Sequence, residues 1–154
     1  MKRIAIISDT HGLLCDEVKA ELEASDIIIH AGDINTDSIV QELKGYGELY
    51  IVRGNNDKEW AEYLPKLLTV TIEGVRFLIV HNKKDIPNNL TDIDVVIYGH
   101  SHKYDEKVID GILLLNPGSC GKRRFDLEVT MCRMYIDQGS YTYEKIIVPQ
   151  KQVH

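Results

Sequence analysis

Four short apolar runs punctuate the chain: Ile4-Ala5-Ile6-Ile7, Ile27-Ile28-Ile29, Leu49-Tyr50-Ile51-Val52 and Val95-Val96-Ile97-Tyr98. They are rich in isoleucine and valine and show no alternation with polar residues, which predicts strands buried on both faces. Residues 16–24 and 37–44 lie between the first three runs and read as short helices, with Asp16 and Asp37 placed to accept orphan amides at their starts. The chain therefore opens as βαβαβ. After Pro65 the pattern changes. Leu67–Ile72 and Val75–Val80 flank Glu73-Gly74, and residues 130–136 and 142–148 flank Asp137-Gln138-Gly139-Ser140, both of which predict hairpins. The expected fold is α/β (α+β), with two sheets, partly parallel and partly antiparallel, packed face to face and helices outside. At 154 residues the chain is expected to be one domain, 1–154, ending in a polar tail at 149–154.

Each strand-like run leads into residues able to bind a metal. Asp9-Thr10-His11 follows the first, Gly32-Asp33 the second, Gly54-Asn55-Asn56-Asp57 the third and Gly99-His100-Ser101-His102 the fourth, while His81 ends the stretch Arg76-Phe77-Leu78-Ile79-Val80. Loops at the carboxyl ends of such strands form the crevice where open α/β sheets bind ligands. Gly32, Gly54 and Gly99 let the backbone turn sharply there. Two carboxylates, several imidazoles and a carboxamide make a mixed oxygen and nitrogen donor set, better suited to Mn, Zn, Fe, Ni or Co than to Ca or Mg. One carboxylate can bridge two cations about 3.5–4 Å apart; Asp33, alone on its loop, is the natural bridge. Two divalent transition-metal ions are the expected cofactors, and the donor set alone does not choose among Mn, Ni, Co, Zn and Fe.

The ordered set D-x-H, GD, GN-x-D, H and GH-x-H, from Asp9 to His102, resembles the calcineurin-like metallophosphoesterase superfamily. The small size and Asn116-Pro117-Gly118-Ser119 are similar to its compact bacterial and archaeal phosphodiesterase branch. The resemblance implies a four-layer αββα sandwich. It implies that Asp9, His11, Asp33 and His102 hold a first metal ion and Asp33, Asn55, His81 and His100 a second, with Asp33, Asn55 and His100 counted as catalytic. The implied activity is hydrolysis of small phosphodiesters by in-line attack of a metal-bridging hydroxide, without a covalent phosphoenzyme.

The pattern departs from the family at two places. Many members carry a histidine after the ligating asparagine, where it serves as an acid for the leaving group; here Asn56 stands there, which predicts a bias toward diesters with good leaving groups over alkyl monoesters. Relatives usually have His-Gly where this chain has His81-Asn82, so the backbone beside the second metal differs. His30 and Asp57 read as partners that orient a ligand, or Asp57 as the cap of a helix at 59–61. Ser119 has two readings, a turn residue or a phosphate contact. Lys122, Arg123 and Arg124 read as a solvated charge run, and His154 as a frayed terminus.

Lys plus Arg number 18 and Asp plus Glu 24, a net charge of −6. This acidity argues against tracking along nucleic acid, whose affinity rests on cationic contacts, and small phosphodiesters fit better. Cys15, Cys120 and Cys132 lack metal-type spacing and are odd in number, which points to a reducing, cytoplasmic setting. No apolar run reaches membrane-spanning length, and the one after Met1-Lys2-Arg3 is too short for a signal sequence. A homodimer is compatible with the sequence. The alternative to an enzyme is a catalytically weak, protein-binding subunit like the phosphoesterase-like component of the retromer coat; seven candidate ligands argue against it.

Overall fold

The structure, a computed structural model, describes residues 1–121 and 127–149. Lys122, Arg123, Arg124 and His154 lie outside the described residues. In chain order the elements are β1 (Lys2–Ile7), α1 (Asp16–Glu23), β2 (Ile27–His30), α2 (Asp37–Lys44), β3 (Glu48–Ile51), β4 (Leu67–Ile72), β5 (Val75–Val80), β6 (Val95–Ile97), β7 (Asp105–Ile109), β8 (Ile112–Asn116), β9 (Thr130–Asp137) and β10 (Ser140–Ile147). Short 3-10 turns occupy Glu59–Ala61 and Lys83–Asp85.

The strands form two five-stranded mixed sheets, ordered β10-β9-β1-β2-β3 and β4-β5-β6-β8-β7. In the first, β1, β2 and β3 run parallel, with Ile4 opposite Ile27 and Ile27 opposite Glu48, and β9 and β10 extend the sheet antiparallel. In the second, β5, β6 and β8 are parallel and the edge strands β4 and β7 are antiparallel. Burial on both faces explains the unalternating runs in β1, β2 and β6; β3 departs from that expectation, since it lies at the sheet edge and Leu49 and Tyr50 are only half-buried. Ile4 and Ile6 pack with Phe77, Ile79, Ile97 and Leu115 between the sheets. Ala5 and Ile7 pack on the other side with Val18 and Leu22 of α1 and Val40 and Leu43 of α2.

The fourth layer differs from the expected helices. The outer face of the second sheet, including Leu78, Val80, Val96 and Leu114, is covered by Ile86, Leu90 and Ile93 from residues 82–94, whose one regular element is a 3-10 turn. Pro87 stands in that segment and works against a longer helix. The helix starts are also corrected: Cys15 and Thr36 occupy the cap positions without side-chain capping bonds, and Asp16 and Asp37 sit in the first turn, where their charge faces the helix dipole. Lys58 likewise takes the cap position before Glu59–Ala61 in place of Asp57. Hairpin β7–β8 is an addition to the sequence reading. It turns through Asp110 (φ 52°) and Gly111 (φ 78°), as the other hairpins turn through Glu73-Gly74 and Gln138-Gly139, all with left-handed pairs that match strand twist.

Candidate metal centre

The strand-end loops of both sheets are laced together at one edge of the sandwich. The amides of Asp9 and His11 donate to the carbonyls of Gly32 (2.9 Å) and Asp33 (3.0 Å), joining the loops after β1 and β2. His81, after β5, crosses between the sheets: its Nδ1–H donates to the Ala31 carbonyl at 2.8 Å. The Gly99 amide, after β6, donates to the His81 carbonyl at 2.8 Å. Buried Asn116 at the end of β8 completes the seam, its Nδ2 donating to the Gly99 carbonyl (3.2 Å) and the Ser101 hydroxyl (3.1 Å).

This lacing holds the backbone in unusual conformations. Asp9, His11, Asp33, His100 and His102 all have positive φ, between 46° and 78°. Such values are uncommon outside glycine and mark functional sites. Gly54 and Gly99 serve close approach instead of positive φ: a Cβ would come within 3.0 Å of the Asp33 carboxylate at Gly54 and of the Ser8 hydroxyl and Asp9 carboxylate at Gly99.

Two groups of donor atoms result. One oxygen or nitrogen from each of Asp9, His11, Asp33 and His102 lies within 4.8 Å of the others, and Asp33, His81 and His100 form a second such group. Asp33 belongs to both. The Nε2 atoms of His11 and His102 approach to 3.2 Å, and His102 Nε2 lies 3.4 Å from Asp9 Oδ1. Asp9 Oδ2 is held by the Ser8 hydroxyl (2.8 Å) and the His100 amide (3.1 Å), which leaves Oδ1 facing the site. That oxygen and His81 Nε2 are buried, lack hydrogen-bond partners and stand 3.9 Å apart. Buried polar atoms that make no hydrogen bond cost roughly 1–3 kcal/mol each, and a divalent cation answers both. The residues present fit metal ions.

Electrostatics keep the shared Asp33 carboxylate ionised and make His81 a base that gives up a proton when it ligates. Burial acts to raise the Asp33 carboxyl, but the adjacent His81 imidazole and the Asn56 amide (2.9 Å) outweigh it and hold the group at about 2. Burial acts to lower His81; the Asp33 carboxylate at 3.2 Å and Asp9 reverse this and raise it. With Nδ1–H committed to Ala31, Nε2 is the atom left to ligate. His30 is fully buried, and desolvation pushes it down to about 4, so it is neutral. Its Nδ1 accepts the Gly32 amide at 3.0 Å, and Nε2–H donates to the Thr10 hydroxyl at 2.9 Å.

The remaining candidates fall into place around this frame. Asn55 and His100 are exposed at the solvent side. The Asn56 side chain donates to Asp33 Oδ2 at 3.2 Å. Asp57 accepts four backbone amides, those of Asp33, Ile34, Asn35 and Gly54. Ser119 is buried, and its hydroxyl donates to the Asp9 carbonyl at 2.8 Å, tying its loop to the loop after β1. Asn116, Thr10 and Ser8 carry no sequence signal of a site role, because their roles rest on contacts that only the fold creates. Two cavities flank the centre and meet at Asn82. One of about 400 Å³ includes Arg53, Asn55, Lys66 and His81 in its lining; the other, about 500 Å³, includes Lys84, Tyr98, His100 and Lys103.

Carboxylate and imidazole donors gathered at the carboxyl edge of a two-sheet sandwich are the equipment of a metal-dependent hydrolase. A profile of the calcineurin-like phosphoesterase superfamily domain matches residues 1–139, and the chain belongs to that superfamily. It is 29% identical to a probable metallophosphoesterase of Mycoplasma pneumoniae over 90% of this chain and 92% of that protein. It is 32% identical to a phosphodiesterase of Methanocaldococcus jannaschii over 77% of this chain and 84% of that protein. Among solved structures, Vps29 of Chaetomium thermophilum superposes with a TM-score of 0.77 at 19% identity, covering 95% of this chain and 97% of that one, a likeness of fold. Among the described residues no helix is long and apolar enough to cross a membrane.

Proposed function

We propose that the protein is a metal-dependent phosphodiesterase acting on small phosphodiesters. In this reading Asp9, His11, Asp33 and His102 hold one divalent cation, and Asp33, Asn55, His81 and His100 hold a second, manganese foremost. The observation that carries it is the pair of buried ligand atoms that make no hydrogen bond, Asp9 Oδ1 and His81 Nε2, beside a carboxylate common to both groups. When bound, the cations supply an activated water and neutralise charge on the phosphoryl oxygens.

The protein's own residues set the geometry. Ser8 and the His100 amide orient Asp9; the Ala31 carbonyl fixes the His81 tautomer; Asn56 and Asp57 hold Asp33 from both sides of its carboxylate and its amide. Asn55 and His100 stand at the exposed rim, where an entering phosphate meets them. Asn56 has no proton to give a leaving group near neutral pH, and an acid there is worth about 10²–10⁴-fold. Diesters with good leaving groups are therefore the favoured substrates. The identity to the archaeal phosphodiesterase supports the same class. A docking-subunit reading draws on the Vps29 likeness, but a docking surface has no use for buried ligand atoms that make no hydrogen bond.

The test is hydrolysis of bis-p-nitrophenyl phosphate beside p-nitrophenyl phosphate by chelator-stripped protein resupplied with Mn, Ni, Co, Zn or Mg, with Asp33→Asn in parallel. Metal-restored cleavage that favours the diester and is lost in Asp33→Asn is expected. Folded protein inactive with every metal would move the reading to a docking subunit.

A further inference from the structure

We infer that the cavity of about 400 Å³ beside the second donor group binds a second anionic group on the substrate, a phosphate or carboxylate carried by one ester substituent. The inference rests on the phosphodiesterase reading and narrows its substrate class. The cavity begins at His81 and Asn55 and continues to Arg53, Lys66, Asn82 and Asp85. Arg53 and Lys66 bracket residues 54–65, and the Arg53 amide donates to the Pro65 carbonyl at 2.9 Å, which brings the two cations to the same wall.

Two observations separate these cations from an ordinary solvated face. Arg3, Arg76 and Arg133 each hold a carboxylate at 3.2 Å or less. Arg53 has no carboxylate partner among the described residues, and its Nε is buried without a hydrogen bond. The Nε of ion-paired Arg3 is unpartnered in the same way, so what sets Arg53 apart is its terminal nitrogens, which have no carboxylate among the described residues to bind and are left to take an acceptor in the cavity. The second observation is charge. The chain is acidic, at −6, yet this wall carries as many cations, Arg53 and Lys66, as acids, Asp57 and Asp85, and both oxygens of Asp57 are already committed to backbone amides, so it does not compete for the cations' hydrogen-bond donors. Cations exclude a further metal site. An Arg fork can take two oxygens of an anion while a Lys takes a third. The volume lies within the range of small-molecule sites.

The substrate class is therefore a phosphodiester with its scissile phosphorus at the donor groups and a second anion one substituent away. The experiment uses manganese-loaded protein and three chromogenic diesters: thymidine 5′-(p-nitrophenyl phosphate), the same molecule bearing a 3′-phosphate, and the same bearing a 3′-succinyl ester. For the wild type, kcat/KM for the 3′-phosphate is expected to exceed that for the plain diester about tenfold, chiefly through KM, the scale of charge-assisted hydrogen bonds. Lys66→Met and Arg53→Met should bring the ratio of the two toward one, and Lys66→Glu should invert it. Lys66 is exposed, so its variants test the idea even where Arg53→Met fails to fold. A gain with the succinyl ester as well assigns a general anion site; a gain with phosphate alone assigns a phosphate site. Equal kcat/KM for all three in the wild type, or a preference that survives both Lys66 variants, overturns the inference while leaving the diesterase intact. No cleavage of any diester, bis-p-nitrophenyl phosphate included, removes the diesterase reading and this one with it.

Discussion

Replacing Asp57 with alanine should loosen the centre without touching any candidate ligand. The carboxylate accepts Ile34 and Asn35 amides on Oδ1, both at 2.8 Å, and Asp33 and Gly54 amides on Oδ2 at 3.0 and 2.8 Å. It thereby staples the loop after β2 to the loop after β3. In Asp57→Ala four amides lose their acceptor, at roughly 1–3 kcal/mol for each that stays buried and dry. Asp57 also lines the cavity of about 400 Å³, so water reaches part of the gap. The expected loss is about 4 kcal/mol, the low end of the sum. Asp57→Asn keeps one oxygen but presents an NH2 group to two amides, and should recover at most part of this. Urea unfolding in chelator, which removes any metal contribution, reads the effect directly. With a slope of about 2 kcal/mol/M the midpoint falls by about 2 M. A fall under about 0.5 M would mean that these amides are solvated in the fold and that Asp57 is not the staple.

Other outcomes follow from the same geometry. His81→Ala removes one donor of the second group and should lower the metal stoichiometry in calorimetric titration while the other site persists; unchanged stoichiometry would leave His81 as a strand-end residue. His30 stands at about 4 in the fold against an ordinary 6.5, so its contribution to stability is whole above pH 6.5 and is lost as pH falls toward 4. The loss is about 3 kcal/mol, read as the stability difference between wild type and His30→Gln across that window; a difference flat with pH would show that His30 is not neutral in the fold. Asn56→His should raise turnover on esters with poor leaving groups relative to p-nitrophenyl esters, and a ratio that does not move would show that leaving-group protonation is not limiting.

What the sequence disclosed is what local chemistry determines. The run at residues 4–7 was legible as a doubly covered strand because alternate side chains enter different apolar layers, Ile4 and Ile6 one and Ala5 and Ile7 the other. Hairpin β7–β8 escaped because β7 is an exposed edge strand, Asp105-Glu106-Lys107-Val108-Ile109, with no apolar face to betray it, although Asp110-Gly111 carried the turn signal. The form of the outer layer over the second sheet was not legible because Ile86, Leu90 and Ile93 supply its apolar cover without a helix. At the centre, acids and imidazoles at strand ends could be picked out by type and position. The hydroxyl of Ser119 meets the Asp9 carbonyl 110 residues away, and the His30 ring meets Thr10 across two strands; contacts of that range are products of the fold.

The left-handed backbone at Asp9, His11, Asp33, His100 and His102 sets stability and chemistry against each other at the same atoms. An L-residue held there costs about 1–2 kcal/mol relative to an unstrained conformation, and a glycine does not incur it. Exchange of any of these side chains for glycine would thus relax the backbone while deleting the group that faces the centre. At Asp9 and Asp33 the lost acceptor for the His100 and Asn56 amides offsets that relief; at the three histidines, random drift selected for robustness alone would erase the site one ligand at a time and be rewarded with a firmer protein. A library of this chain sorted only for resistance to heat, in chelator, should accumulate glycine at these positions first.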